Sequence, residues 1–92
     1  MQLRWTTAAA DDLAAIAEYL FEKSPESAAQ LIRKIYEAPL VLKNYPNLGR
    51  SGKKEGTREL VIAPLPYVVV YQIRGDNLFI ARILHGAQDW PL

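Results

Sequence analysis

Cysteine is missing from the 92 residues, which removes disulfide staples and thiolate metal sites and fits a reducing compartment. Histidine occurs once, at His85. A lone imidazole is too thin a ligand set for a metal, so no metal and no other cofactor is expected. No apolar run approaches the roughly 20 residues of a membrane-spanning helix. The opening MQLRWTTAAADD lacks a charged-then-apolar signal pattern, so the expected location is the cytoplasm, with no membrane contact. Repeats and low-complexity tracts are absent as well.

Half of the residues are hydrophobic, which excludes a disordered chain. The length suffices for a single domain over 1–92, with one core. So small a domain has little stability to spare, and a stabilising partner would suit it. The net charge is only +1, but its distribution is uneven. Lys43, Arg50, Lys53, Lys54 and Arg58 crowd into residues 43–58 against Glu55 alone. This basic segment suits a phosphate or an acidic partner; the plainer alternative is a solvated loop.

Gln2 to Trp5 alternates polar and apolar, which predicts a short strand. Thr6 or Thr7 then caps a helix whose apolar stripe is Leu13, Ile16, Ala17 and Leu20. Asp11 and Asp12 suit its early turns, and Lys23 its end. Asp11, Glu18 and Glu22 form an acidic stripe on another side. Ser24 and Pro25 have the chemistry of a helix restart, with Ser24 as cap and Pro25 at the first helical position. Ala28, Leu31, Ile32, Ile35 and Leu42 give the second helix its apolar stripe, with a kink expected at Pro39. Two helices so closely joined should form an antiparallel hairpin. Residues 44–56 read as a loop carrying the basic segment. Three strands follow, over 57–62, 67–74 and 78–84, with a hairpin turn at 75–77. Prolines in APLP confine 63–66 to a connection. The order β-α-α-β-β-β predicts an α+β domain, the strand and helical hairpin packed on a small antiparallel sheet.

Several pieces in this order carry a resemblance: Trp5 with AAADDLAAIAEYL, then YPNLGRSG, GTREL, PYVVVYQI and ILHGAQDWP. Together they span nearly the whole chain, which resembles the RelE/ParE superfamily of type II toxin–antitoxin toxins. The resemblance implies a growth-inhibiting toxin of the plasmid-stabilisation type. It also implies a cognate ParD-like antitoxin in a hetero-oligomer, and an intracellular target.

The superfamily divides by target. RelE-like members cleave messenger RNA in the ribosome, and their pattern has an Arg directly after the aromatic that opens the central strand. Here that position is Val68. A second basic residue of that branch lies just past the last strand, where this chain reads His85-Gly86-Ala87. A valine cannot stabilise a pentavalent phosphate, and losing one such charge costs about 3 kcal/mol of transition-state stabilisation. ParE-like members poison DNA gyrase and have no recognised catalytic site. Their pattern is similar to GTREL, Y-x-V-x-Y and an ending like H-x-x-x-W-P; 56–60 and 67–71 match, and 85–91 resembles the ending with one more residue between His85 and Trp90. The reading is therefore a ParE-like gyrase inhibitor rather than an enzyme.

On that reading no residue is catalytic. Arg50, Lys53, Lys54, Arg58 and Trp90 are the candidates for antitoxin or target contact. Arg58 lies between apolar strand residues and should pair with carbonyls or a carboxylate, with Glu18, Glu59 and Asp89 as candidates. Trp5 and Tyr71 are expected in the core. The alternative is a ribosome-dependent endoribonuclease acting on messenger RNA through Arg58, Arg82 and His85 together with the lysines. There His85 would move a proton instead of making a structural hydrogen bond.

Overall fold

The computed structural model describes residues 1–86; Asp89 and Trp90 therefore lie outside the described residues. The chain runs β1 (Gln2–Trp5), α1 (Thr7–Lys23), α2 (Ala28–Glu37), a 3-10 helix (Ala38–Lys43), β2 (Arg50–Ser51), β3 (Arg58–Val61), β4 (Tyr67–Arg74) and β5 (Asn77–His85). The strands form one sheet in the order β1-β5-β4-β3-β2. Both helices cover one of its faces, so the α+β reading holds. The pair β1–β5 is parallel, while the other neighbours are antiparallel. β1 is joined to the rest of the sheet through the helices, and such a connection permits a parallel pairing.

Thr6 makes the corner between β1 and α1. Its amide and hydroxyl both donate to the Ile80 carbonyl, at 3.1 and 2.8 Å, and the hydroxyl accepts from the Ala9 amide at 3.1 Å. One side chain thus ties the sheet edge to the first turn of α1. We expect Thr6→Ala to cost about 1–2 kcal/mol, the range of a lost helix cap, and Thr6→Ser much less. Urea unfolding midpoints check this; equal midpoints for the two variants would contradict it.

α1 buries Ala9 and Leu20, with Leu13 and Ile16 half-buried against the same core. Asp11, Glu18 and Glu22 are exposed, as the acidic stripe requires. The helix begins at Thr7, so Asp11 and Asp12 fall in its second turn, away from the terminal amides. The helix restart also differs from expectation. Ser24 closes α1, its amide donating to Leu20 O at 2.7 Å, and α2 starts only at Ala28 with Ser27 before it. Once the Ser24 amide satisfies an orphan carbonyl of the first helix, that residue belongs to α1. Pro39 has no amide to continue the α ladder, and the chain tightens into the 3-10 helix instead of kinking one long helix. This helix buries Pro39 and Leu42.

β4 alternates cleanly. Tyr67, Val69, Tyr71 and Ile73 join the core beneath the helices, while Val68 and Val70 point to the outer face of the sheet. β5 changes phase midway. Val70 pairs with Arg82 and Tyr71 with Ile80, so Ala81 is an extra residue, a β-bulge. Before it Leu78 and Ile80 face the core; after it Ile83 does. Without the bulge Arg82 would share a face with Leu78 and Ile80, and a guanidinium would enter the core. The bulge turns Arg82 and Leu84 outward.

The basic segment is a β-hairpin. β2 pairs with β3 through Arg50 opposite Glu59 and Ser51 opposite Arg58. The Gly52 amide donates to Thr57 O at 2.8 Å, and the Thr57 amide donates to Lys54 O at 3.1 Å. Gly56 has a φ of 83°, the left-handed turn conformation that favours glycine. Lys53 and Lys54 sit exposed at this closed tip.

Candidate functional site

Two adjoining surfaces hold the candidate residues. The first is the outer face of the sheet. Val68 and Leu84 pair across β4 and β5, and Glu59 and Val70 pair across β3 and β4. Val70 and Leu84 are buried and Val68 is half-buried. A cleft of about 50 Å³ lies there, lined by Arg50, Lys53, Glu59, Val68, Val70, Leu84, His85 and Gly86. Glu59 is the polar centre of this face, its side chain only 8% exposed. Its Oε1 accepts from Arg50 Nε at 3.3 Å and from the terminal guanidinium NH2 group at 3.1 Å, and its Oε2 accepts from the Lys53 amide at 3.3 Å. A buried carboxylate needs such partners, because desolvation without them is costly.

The second surface is an apolar groove of about 430 Å³ on the helical side, between α1, α2 and the β3–β4 connection. Ile16, Tyr19, Leu20, Leu31, Leu65 and Tyr67 are among its lining residues. His85 lines both groove and cleft, so the two surfaces meet at the end of β5. The Tyr67 ring meets the His85 ring edge-on, with centroids 5.9 Å apart. Burial raises the Tyr67 phenol above its ordinary pKa, and neighbouring Tyr19 adds to the shift.

The remaining candidate cations serve the scaffold. Arg58 lies on the opposite face from Arg50, its strand position alternating with that of Glu59. Its guanidinium donates to the carbonyls of Gly49 at 2.7 Å and Asn47 at 3.4 Å. Arg58 therefore pins the loop before β2 through carbonyls, and the expected four-residue patch is divided between two faces. Arg82 donates from Nε and NH2 to Asp12 at 2.7 and 2.9 Å. The Asp12 hydrogen bond raises the Arg82 pKa further, against the opposing effect of burial. Trp5 is half-buried and stacks on Tyr36, with centroids 5.5 Å apart. Tyr71 is fully buried, as expected of a core aromatic.

The family model for the ParE toxin of the type II toxin–antitoxin system parDE matches residues 3–90. The chain belongs to the ParE toxin family. Two curated relatives carry the name toxin. The toxin Y4kP of Sinorhizobium fredii is 38% identical over 90 residues, 98% of this chain and 93% of that protein. Toxin RelE2 of Caulobacter vibrioides is 37% identical over 87 residues, 95% of this chain and 97% of that protein. Among solved structures, a chain of the chromosomal ParDE toxin–antitoxin system from P. aeruginosa superimposes with a TM-score of 0.86 at 30% identity. The match covers 92% of this chain and 95% of that one. A Helicobacter pylori toxin shares the fold, with a TM-score of 0.62 at 21% identity over 90% of this chain and 91% of that one.

This ParE-family chain is thus a type II toxin–antitoxin toxin, as the ordered motifs indicated. Those motifs acquire physical roles in the fold. In GTREL, Thr57 closes the hairpin, Arg58 pins a loop, and Glu59 holds Arg50. In PYVVVY the aromatics face the core and Val68 and Val70 face outward. Glu59 as the organiser of the outer face was not evident from the sequence. Its one signal there was a carboxylate on a strand close to a run of cations.

Proposed function

We propose that this toxin halts growth by binding and poisoning DNA gyrase, as a protein ligand rather than a nuclease, and that a ParD-like antitoxin neutralises it in a cytoplasmic complex. The observation that carries the reading is the outer face of the sheet. Its floor is Val68, Val70 and Leu84, with Val68 at the position where the ribonuclease pattern has Arg. Arg50 and Arg82 are held by Glu59 and Asp12, and Arg58 by carbonyls on the other face. Phosphoryl chemistry needs cations aimed at the developing charge. A cleft of about 50 Å³ is also small beside the roughly 300 Å³ or more of small-molecule sites. No helix among the described residues is long and apolar enough to cross a membrane.

The antitoxin surface in this reading is the apolar groove. An amphipathic segment, unfolded when free, would lay its apolar side chains on Ile16, Leu20, Leu31 and Leu65 and fold as it binds. Family context supports the partner: the structural relative at 30% identity belongs to a ParDE system.

Purified toxin at stoichiometric ratio should block gyrase supercoiling, and added ParD-like antitoxin should restore it. Normal supercoiling would sink the proposal. The ribonuclease alternative is favoured by one observation, the exposed Lys53 and Lys54 at the hairpin tip, and by one relative carrying the name RelE2. Mapping messenger RNA ends after brief induction separates the two, since cuts in codon register would establish the enzyme.

A further inference from the structure

We propose that Glu59 is a positioning residue: its buried carboxylate sets Arg50 and the 50–54 hairpin as a fixed cationic ridge that docks an acidic peptide segment of the partner. This rests on the toxin–antitoxin reading and names which groups on the toxin recognise the partner's charge.

The geometry separates the two roles. Glu59 is nearly covered, at 8% exposure, while the Arg50 side chain is 65% exposed. Two guanidinium nitrogens, Nε and NH2, are committed to Glu59. That contact holds the guanidinium in place while most of the Arg50 side chain stays exposed. The same carboxylate accepts from the Lys53 amide, so the strand end and the turn are held by one group. A guanidinium held in one orientation loses less entropy on meeting a carboxylate than a free one does.

The occupant follows from size, charge and continuity. The cleft beside Arg50 and Lys53 measures about 50 Å³ and is floored by Val68, Val70 and Leu84. It is too small for a nucleotide, and with Glu59 inside it a partner's carboxylates are met at its rim, on exposed Arg50 and Lys53. His85 lines both this cleft and the apolar groove of about 430 Å³. One peptide can therefore place large apolar side chains in the groove and Asp or Glu side chains on the ridge.

The test uses the full chain, isotope-labelled, with two probes: a synthetic amphipathic peptide ending in a glutamate run, and an oligouridylate. The peptide should shift the NMR signals of Arg50 Nε, the Lys53 amide and the Leu31 and Leu65 methyl groups. Glu59→Gln should broaden the Arg50 Nε signal and weaken the peptide about tenfold. Arg50→Lys keeps the charge at an exposed position, loses the fork, and should weaken binding comparably. It serves if Glu59→Gln fails to melt cooperatively. Lys53→Glu with Lys54→Glu should weaken binding and flatten its salt dependence. Peptide affinity unchanged in Arg50→Lys would overturn the proposal, because charge alone would then suffice. Oligouridylate shifting the ridge signals in place of the peptide would overturn it too. A wild-type chain that blocks supercoiling but ignores the peptide overturns the docking alone. One that binds the peptide without blocking supercoiling upholds it and removes only the gyrase reading.

Discussion

Tyr71→Ala should abolish cooperative folding of this toxin. Tyr71 is fully buried in the central strand and does two things at once. Its ring fills the core beneath the helices, and deletion of a buried aromatic costs about 3–5 kcal/mol. Its hydroxyl donates to Pro46 O at 2.7 Å and accepts from the Gly49 amide at 2.9 Å. Truncation orphans both groups, at about 1–3 kcal/mol each when buried. The sum rivals the whole stability of a chain this long, roughly 5–14 kcal/mol. Gly49 shows how closely the loop is fitted, since a Cβ there would lie 2.7 Å from the Tyr71 hydroxyl and 2.8 Å from Glu59 O. Tyr71→Phe isolates the hydroxyl and should cost about 2 kcal/mol. It should also make the 44–49 loop an early site of proteolysis. Urea unfolding of both variants, with limited proteolysis of the Phe variant, is the measurement. A Tyr71→Phe cost under about half a kcal/mol would show that water replaces the hydroxyl without loss.

Asp12→Ala should lower the melting temperature by roughly 15 °C, the equivalent of about 3 kcal/mol in a domain of this size. β1 pairs with β5 only as far as Ile80, and the edge of β5 beyond it needs another partner. Asp12 supplies it from α1: Oδ2 accepts from the Ile83 amide at 3.0 Å and from Arg82 Nε at 2.7 Å, while Oδ1 accepts from Arg82 NH2 at 2.9 Å. The two side chains are 26% and 17% exposed, so added salt should screen the pair only weakly. Alanine removes the ion pair and strips the Ile83 amide of this acceptor. Asp12→Asn keeps an oxygen for that amide and should cost about half as much. The raised pKa of Arg82 means that its share of stability is lost only as pH climbs through that folded-state value, beyond any working range. Thermal melts of the two variants decide the matter. Equal melting points for Asp12→Ala and wild type would mean that the sheet edge is satisfied without α1.

The elements were legible because each rests on local chemistry. Gln2 to Trp5 alternates, Tyr67 to Arg74 is rich in β-branched and aromatic residues, and both strands lie where those patterns placed them. The identity of residue 68 was equally local: it is valine whatever the fold. The helix boundary was not. Ser24 and Pro25 have the composition of a restart, but the Ser24 amide is claimed by Leu20 O, and α2 begins later.

The site itself shows what a string of residues cannot carry. The cations at 50, 53, 54 and 58 look like one patch in the chain. In the fold Arg58 turns to the helical face and binds carbonyls, while Arg50 turns outward onto Glu59. Sequence alone determined the α+β composition, the family motifs and the valine at position 68, because those depend on periodicity and residue identity. Only tertiary structure decided the face of each charge. Strand register sets that face, and here it shifts at Ala81, where an extra residue in the β4–β5 hairpin sends Arg82 out to Asp12 instead of into the core.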